Sequence, residues 1–436
     1  MRHEIATERY LQRHIEPGLP DAPQTPHLWQ NVMVIPVYRE SADFLHTMEN
    51  WSAESRKTVV ILVINRPAAD SDSNANSELR SALEKRRAIT SSSKQDDILA
   101  LNENVDLYIH DTEQLSGPTP TNQGVGTARK IGCDIAFKWM NAGKIESPWI
   151  FCTDADATLP DRYFSRVDNL RTDTVAAIFP FTHSRCVDEK ISLATALYEL
   201  RLHHYVRGLQ QAGSPYAFHS LGSCLAVRAT SYAHCRGFPK RAGAEDFYLL
   251  NKLRKLGGIE QLPGDCIRLT SRASTRVPFG TGPAVEVLCN ESDPLMAPCF
   301  YHPDTFLALG EFLALVPQLY PDDASLNDLL SHGKLEDDLI TASVQALVAL
   351  GLQDALEKIR RQSKNAVQFE AQVQRWFDGF RSLKFLHALR DASWPLLPLV
   401  KCYNTAPALW PPGVRQDFSV EELRASVYSN WGWQAQ

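Results

Sequence analysis

The chain lacks any apolar run of the ~18 residues that a membrane-spanning helix needs. Its nearest candidates, 306–315 and 395–400, are too short or interrupted. A protein embedded in a bilayer by helices is therefore excluded, while contact with a membrane surface is left open. There is no C-x-x-C, and the nine cysteines are odd in number and widely spaced. A zinc site or a disulfide framework is not expected, and reduced thiols in a cytoplasmic setting are. Basic excess is missing too. The net charge is −6, which argues against nucleic acid as the main partner. No G-x-x-x-x-G-K-[ST] occurs, so there is no P-loop. The first residues, Met-Arg-His-Glu-Ile-Ala-Thr-Glu, carry acids early and no apolar core, so no signal peptide is expected.

What is present is an ordinary globular composition. Of 436 residues, 44% are hydrophobic and 22% charged. That is enough for a substantial core and a soft prior of two to three domains. Residues 1–30 are polar and Pro-rich and read as an N-terminal arm or short helix. From residue 31, apolar runs alternate with helical patterns. The runs are 32–35, the β-branched Thr58–Ile64, 105–110, 148–153 and 175–181. Such alternation predicts a mostly parallel mixed sheet with helices on both faces, an α/β fold. Two stretches interrupt it. Residues 67–97 are polar and hold at most one helix near 77–87. Residues 112–123 form a Pro/Thr/Gly loop suited to a substrate-facing lid. Beyond about residue 290 strand signals vanish. Phe369, Val373, Trp376, Phe377, Phe380 and Leu383 follow a helical spacing. The expected organisation is an arm (1–30), an α/β domain (31–289) and a mostly α-helical C-terminal region (290–436).

Three constellations carry chemistry. In Phe151-Cys152-Thr153-Asp154-Ala155-Asp156, two carboxylates follow an apolar strand directly. Ligands bind at the carboxyl ends of strands in open α/β sheets. Two acids there repel unless a cation joins them, and Mg²⁺ is typically held by one or two carboxylates plus substrate phosphates. The plain alternative is an acidic turn. In Gly124-Val125-Gly126-Thr127-Ala128-Arg129-Lys130, two glycines permit a close backbone approach. Thr127 is a plausible N-cap for a helix striped by Ile131, Ile135 and Trp139. Arg129 stands where a dinucleotide fingerprint needs its third glycine. A helix N-terminus beside Arg129 and Lys130 suits an anion, and a mere tight turn is the plain alternative. In Glu245-Asp246, acids open a helix containing Phe247, Leu250 and Leu253. They either favour the helix dipole or fix a general base.

In chain order, Ile35-Pro36-Val37-Tyr38-Arg39-Glu40, Gly124–Lys130, Asp154-Ala155-Asp156, Leu221-Gly222-Ser223-Cys224 and Glu245-Asp246 resemble glycosyltransferase family 2 of the GT-A fold. The resemblance spans roughly residues 31–280. It implies a metal-dependent (Mn²⁺ or Mg²⁺), non-processive glycosyltransferase, with a sugar moving from a UDP- or GDP-type donor to an unidentified acceptor hydroxyl. By position, Pro36, Tyr38 and Glu40 match contacts to base and ribose. Arg129 and Lys130 match a basic pair near the diphosphate. Asp154 matches a ribose or metal contact and Asp156 a metal ligand. Gly222 and Ser223 would line donor sugar or acceptor. Asp246 matches the catalytic base of an inverting reaction, with Glu245 beside it. Asn65 ends the second strand where many relatives carry an acid, which leaves the nucleobase open. No residue matches a third metal ligand. Arg272 and Arg276, in 271–280, are alternative diphosphate contacts or solvated loop charges.

Two rivals remain. A sugar-nucleotide nucleotidyltransferase normally has a Gly-rich basic loop after strand one, where this chain has Pro-Val-Tyr-Arg-Glu. A non-catalytic sugar-nucleotide binder is disfavoured by intact Asp154, Asp156 and Asp246. Gln372-Val373-Gln374-Arg375-Trp376 matches the Q-x-x-R-W of membrane-embedded processive synthases only by chance, since it lies far downstream without such helices. His203 and His204 read as packing or surface residues. The helical region would shape the acceptor site or mediate self-association.

Overall fold

Two seven-residue strands, β1 (Asn31–Val37) and β2 (Thr58–Ile64), lie parallel with every residue buried. A strand covered on both faces must be apolar throughout rather than alternating, as TVVILVI is. Burying each such aliphatic side chain contributes about 1.5–3 kcal/mol. This is a computed structural model, and it describes residues 2–24, 28–90, 98–274, 276, 280–320, 326–415 and 417–435. In chain order follow β3 (Ile98–Ala100), β4 (Val105–Asp111), β5 (Trp149–Cys152), β6 (Ala157–Thr158), β7 (Thr174–Ile178) and β8 (Phe181–His183). Then come β9 (Leu225–Arg228), β10 (Gly258–Gln261), β11 (Gly264–Asp265), β12 (Ile267–Leu269) and β13 (Trp433–Gln434).

Eight strands form one sheet in the order β10-β7-β9-β5-β1-β2-β4-β3. It is mostly parallel. Only β9 and the edge strand β3 run against their neighbours. The others make a three-stranded sheet, β6-β12-β8, and a pair, β11-β13. The order reverses at β1, because the chain lays β2 and β4 on one side and then returns to lay β5 on the other. Pro36 sits inside β1 without penalty on the β5 side, where pairing has ended at Val34↔Cys152.

The chain divides into two units. One comprises residues 1–187, 220–284 and 432–436, and the other 188–219 and 285–431. The first holds every strand. The second is helical. Its helix Glu189–Gln211 is capped by Asp188, which accepts from the Lys190 and Ile191 amides. The side chains of Phe306, Phe312, Phe377 and Phe385 pack its core. Residues 188–219 thus group with the later helices, although the sequence places them inside the 31–289 stretch. The 289/290 boundary falls within the helix Thr281–Asn290.

Several expectations differ from the structure. The run 175–181 splits at Phe179-Pro180 into β7 and β8, which join different sheets. The loop 112–123 opens with a short helix, Thr112–Ser116, because Asp111 accepts from the Gln114 amide as its cap. The stripe from Phe369 to Leu383 spans two helices, Ala366–Trp376 and Gly379–Ala392. Asp378 caps the second through the Arg381 amide. Of the two alternatives for the N-terminal stretch, the short helix is the one present, Arg2–Arg13, with Tyr10 fully buried. No disulfide joins any of the nine cysteines. Among the described residues no single helix is long and apolar enough to cross a membrane. One pair bent by 65°, Asp337–Ala349 with Leu352–Gln362, passes that test only when taken together.

Candidate functional site

The strand register brings five separated segments to one edge of the main sheet. Tyr38–Glu40 follow β1 and Asp154–Asp156 follow β5, so both leave the carboxyl ends of the strands that flank the reversal. Open α/β sheets bind ligands at that position. The antiparallel β9 begins at Leu225, opposite Cys152, so Gly222 and Ser223 lie at the same edge. β12 pairs with β6, Leu269 against Ala157, which delivers Arg272 beside Asp156. The fifth segment, 239–246, docks on the glycine pair. The Gly126 amide donates to the Arg241 carbonyl at 2.9 Å, and the Ala242 amide to the Asn122 carbonyl at 3.0 Å.

This docking changes the role of the glycines. A Cβ on Gly126 would lie 2.6 Å from the Arg241 nitrogen and the Pro239 oxygen. The close approach they permit is to the chain's own backbone, the loop that carries Glu245 and Asp246. The helix starts at Gly124 with Gln123 as N-cap, so Thr127 is not the cap. Its hydroxyl instead faces the Gln123 side chain at 3.3 Å.

Arg129 is the buried tie of the cluster. Its guanidinium donates to Glu245 at 2.8 Å, to the Gly222 carbonyl at 2.9 Å and to Asp154 at 2.6 Å. Burial opposes its charge, but Asp154 and Glu245 outweigh burial and keep it protonated. It is 3% exposed. The resemblance implies a contact to a diphosphate, and in this structure the guanidinium is held by three internal partners. Lys130 is not brought to the cluster at all. Its ammonium lies 2.8 Å from Asp134 and 3.0 Å from the Tyr10 hydroxyl, against the N-terminal helix.

The remaining carboxylates differ in setting. Asp154 keeps over a third of its side chain exposed, and Asp156 about half of that. Burial, then the nearby Asp154, pushes the Asp156 carboxyl up to about 6, against the pull of Arg272. Glu40 is raised by burial and lowered by Arg272. Arg272 bonds both oxygens of Glu40, at 2.8 and 3.1 Å, and reaches Asp156 at 2.6 Å. Arg276 bonds Glu40 at 2.6 Å and the Tyr38 carbonyl at 2.9 Å. Residues 277–279, read with it from the sequence, lie outside the described residues. Asp246 is pushed up to about 7, by burial first and Glu245 second. Its Oδ1 accepts from the Phe247 amide at 2.7 Å.

Two non-glycine residues at this edge adopt left-handed backbone. Arg39 (φ 52°) precedes Glu40, and Ala244 (φ 57°) precedes Glu245. Such strain persists only where surroundings over-determine it, and it clusters at functional sites. For Arg39 the surroundings come from the polar stretch that follows β2. Asn76 accepts from the Arg39 amide at 3.0 Å, and Asp70 binds both the Arg39 side chain and the Tyr38 hydroxyl. No period or motif marked Asp70 and Asn76. Asn65, 4% exposed, offers its carbonyl to Asn76. Pro36 lies within β1, and Ser223 is buried beside Cys224.

No group of three or more His, Cys, Asp or Glu side chains gathers as a metal site among the described residues. The pair Asp154 and Asp156 fits a hard cation that takes its other ligands from phosphate oxygens and water. His203 lies 3.1 Å from His219, and His204 stacks on Trp410 in the helical unit, so both are packing residues. A groove of about 600 Å³ in that unit, lined by Pro215, Phe306 and Gln374 among others, contains none of the candidate site residues.

No protein-family model and no curated protein sequence matches the chain. Among solved structures, the mannosyltransferase PcManGT from Pyrobaculum calidifontis in complex with GDP-Man and Mn²⁺ aligns over 86% of this chain and 94% of its own. The identity is 16% and the TM-score 0.34. The bifunctional glycosyltransferase WbbM in its apo form aligns over 68% of this chain and 51% of its own, at 9% identity and TM-score 0.29. Both overlaps are low, and neither decides fold or chemistry.

Proposed function

We propose that the chain is a nucleotide-sugar glycosyltransferase of the GT-A type, similar to family 2, acting on an acceptor hydroxyl with inversion. The observation that supports it best is the convergence of Glu40, Asp154, Asp156 and Asp246 where the strand order reverses. Three arginines, Arg129, Arg272 and Arg276, join them there. Asp154 and Asp156 would hold Mn²⁺ or Mg²⁺, which when bound neutralises charge developing on a leaving diphosphate. Tyr38 and Glu40 would meet the nucleoside. Asp246 would take the acceptor proton. Its carboxyl titrates near neutrality, where a general base works best. Glu245 is committed to Arg129 and serves as structure, and Gly222 serves by leaving room for that arginine.

The test is incubation of the purified chain with UDP-, GDP- and ADP-sugars, with and without Mn²⁺, reading nucleoside diphosphate released. Metal-dependent release with one donor is expected. Failure of every donor both to bind and to turn over overturns the reading. Pyrophosphate made from a sugar 1-phosphate and a nucleoside triphosphate would point to a nucleotidyltransferase instead.

A further inference from the structure

Arg272 stands between the two acids that a ligand would need. One guanidinium nitrogen, Nη2, lies 2.8 Å from Glu40 and 2.6 Å from Asp156. Three constraints fix it there. The β12–β6 pairing ends at Leu269↔Ala157. The Thr270 hydroxyl donates to the Asp156 carbonyl at 3.0 Å. The Ser271 hydroxyl donates to the Ser184 carbonyl. Arg272 is still about a third exposed, so it is reachable from solvent, unlike Arg129.

Arg272 sits on Asp156 Oδ2, so it competes with a divalent cation for that oxygen, whereas Arg129 takes only Oδ1 of Asp154. Arginine's planar fork also matches phosphate oxygens as well as it matches carboxylates. We propose that Arg272 is an internal counter-cation that occupies Asp156 until a diphosphate offers it a better anion. The inference rests on the glycosyltransferase reading. When the diphosphate arrives, Arg272 passes to its oxygens while remaining anchored on Glu40, and Asp156 is released to the metal. Metal and diphosphate then bind with positive coupling, because each removes a competitor of the other. Typical couplings of this kind are ~5–150-fold and must be equal in both directions. Arg276 holds Glu40 independently at 2.6 Å, so the anchor survives the exchange.

The experiment is Mn²⁺ binding followed by the electron paramagnetic resonance signal of free Mn²⁺, on the full chain, without nucleotide and with UDP, GDP or ADP. Wild type should bind Mn²⁺ weakly alone and at least about fivefold more tightly with the accepted diphosphate. Arg272→Gln should move the two affinities in opposite directions. Mn²⁺ alone binds more tightly than to wild type, and the diphosphate binds more weakly. A residue that merely braces the fold would weaken both. Arg272→Lys keeps the charge without the fork and should fall between. It carries the test if the glutamine variant fails to fold. Unchanged or weaker Mn²⁺ binding in both variants overturns the proposal while leaving the glycosyltransferase reading in place. If wild type with Mn²⁺ binds none of UDP, GDP and ADP, that reading fails, and the exchange fails with it.

Discussion

Arg129 and Glu245 are separated by 116 positions in sequence and by 2.8 Å in space, and each side chain is about one-twentieth exposed. One end of the pair sits on the helix that starts at the glycine pair. The other sits at the start of the helix carrying Asp246. Asp154 completes the arrangement from the end of β5, so one guanidinium fixes the spacing between the acid after β5 and the acids that open the helix at Glu245. Removing it leaves Glu245 buried without its counter-charge.

Breaking a buried pair on one side costs ~3–5 kcal/mol. Arg129→Ala should therefore lower unfolding free energy by about that much, read as a shift of urea midpoint at constant slope. In the folded fraction, nucleoside mono- and diphosphate should lose affinity alike, because Arg129 acts through Asp154 rather than on a phosphate. A loss confined to the diphosphate would return Arg129 to the ligand.

The glycines give a second expectation. At Gly126 an added methyl meets backbone atoms at 2.6 Å, and at Gly222 it meets the Arg129 guanidinium at 2.6 Å. Both sites are overpacked by alanine, which costs ~1–3 kcal/mol. Backbone gives way less readily than a side chain, so Gly126→Ala should be the more damaging in thermal unfolding. Gly222→Ala should cost less stability and instead weaken Mn²⁺ binding, by disturbing the hold on Asp154. Equal, negligible effects would contradict the docking of 239–242 described above.

Much of the fold was legible because β2 and β5 are short, continuous apolar runs bounded by polar turns, a pattern with few alternatives. The short strands β3, β9 and β10 were not legible. β3 is only three residues long, β9 and β10 contain polar or charged residues, and the sheet supplies their partners. Within the site, acids directly after β5 were legible from local context alone. Arg129 and Lys130 were not distinguishable from each other. Adjacent positions on a helix point about 100° apart, so one faces Glu245 and the other Tyr10. Which faces which depends on elements more than 100 residues away.

Lys130 is accordingly expected to matter for stability and not for ligands. Asp134 beside it is fully buried and also accepts from Tyr10 and Tyr232. Lys130→Met would strand that carboxylate and cost ~3–5 kcal/mol, less whatever is recovered by protonation of Asp134. The melting temperature should fall more at pH 8 than at pH 5, because Asp134 without Lys130 is stable only when neutral. Affinity for the accepted nucleoside diphosphate, measured below the melting temperature, should stay within a few-fold of wild type. A large loss of that affinity would put Lys130 at the site after all.

Asp246 yields the expectation with two independent readouts. A base must be deprotonated to accept the acceptor's proton, so turnover should rise with pH and level off above a midpoint near 7. Asp246→Asn keeps the shape, removes the basicity and should lower kcat by ~10²–10⁴, leaving donor affinity within a few-fold. Stability should respond in the opposite sense. The folded carboxyl titrates higher than an unfolded aspartate, at about 7 against 3.8. Its neutral form is therefore the one the fold favours. That contribution is fully present below the unfolded value and disappears as pH rises through 7. The asparagine is neutral at every pH. The variant should thus gain stability relative to wild type between pH 5 and pH 8, as turnover is lost. If Asp246 served only the helix dipole, the charged form would be the stabilising one. The asparagine variant would then lose ground over the same interval, with turnover intact.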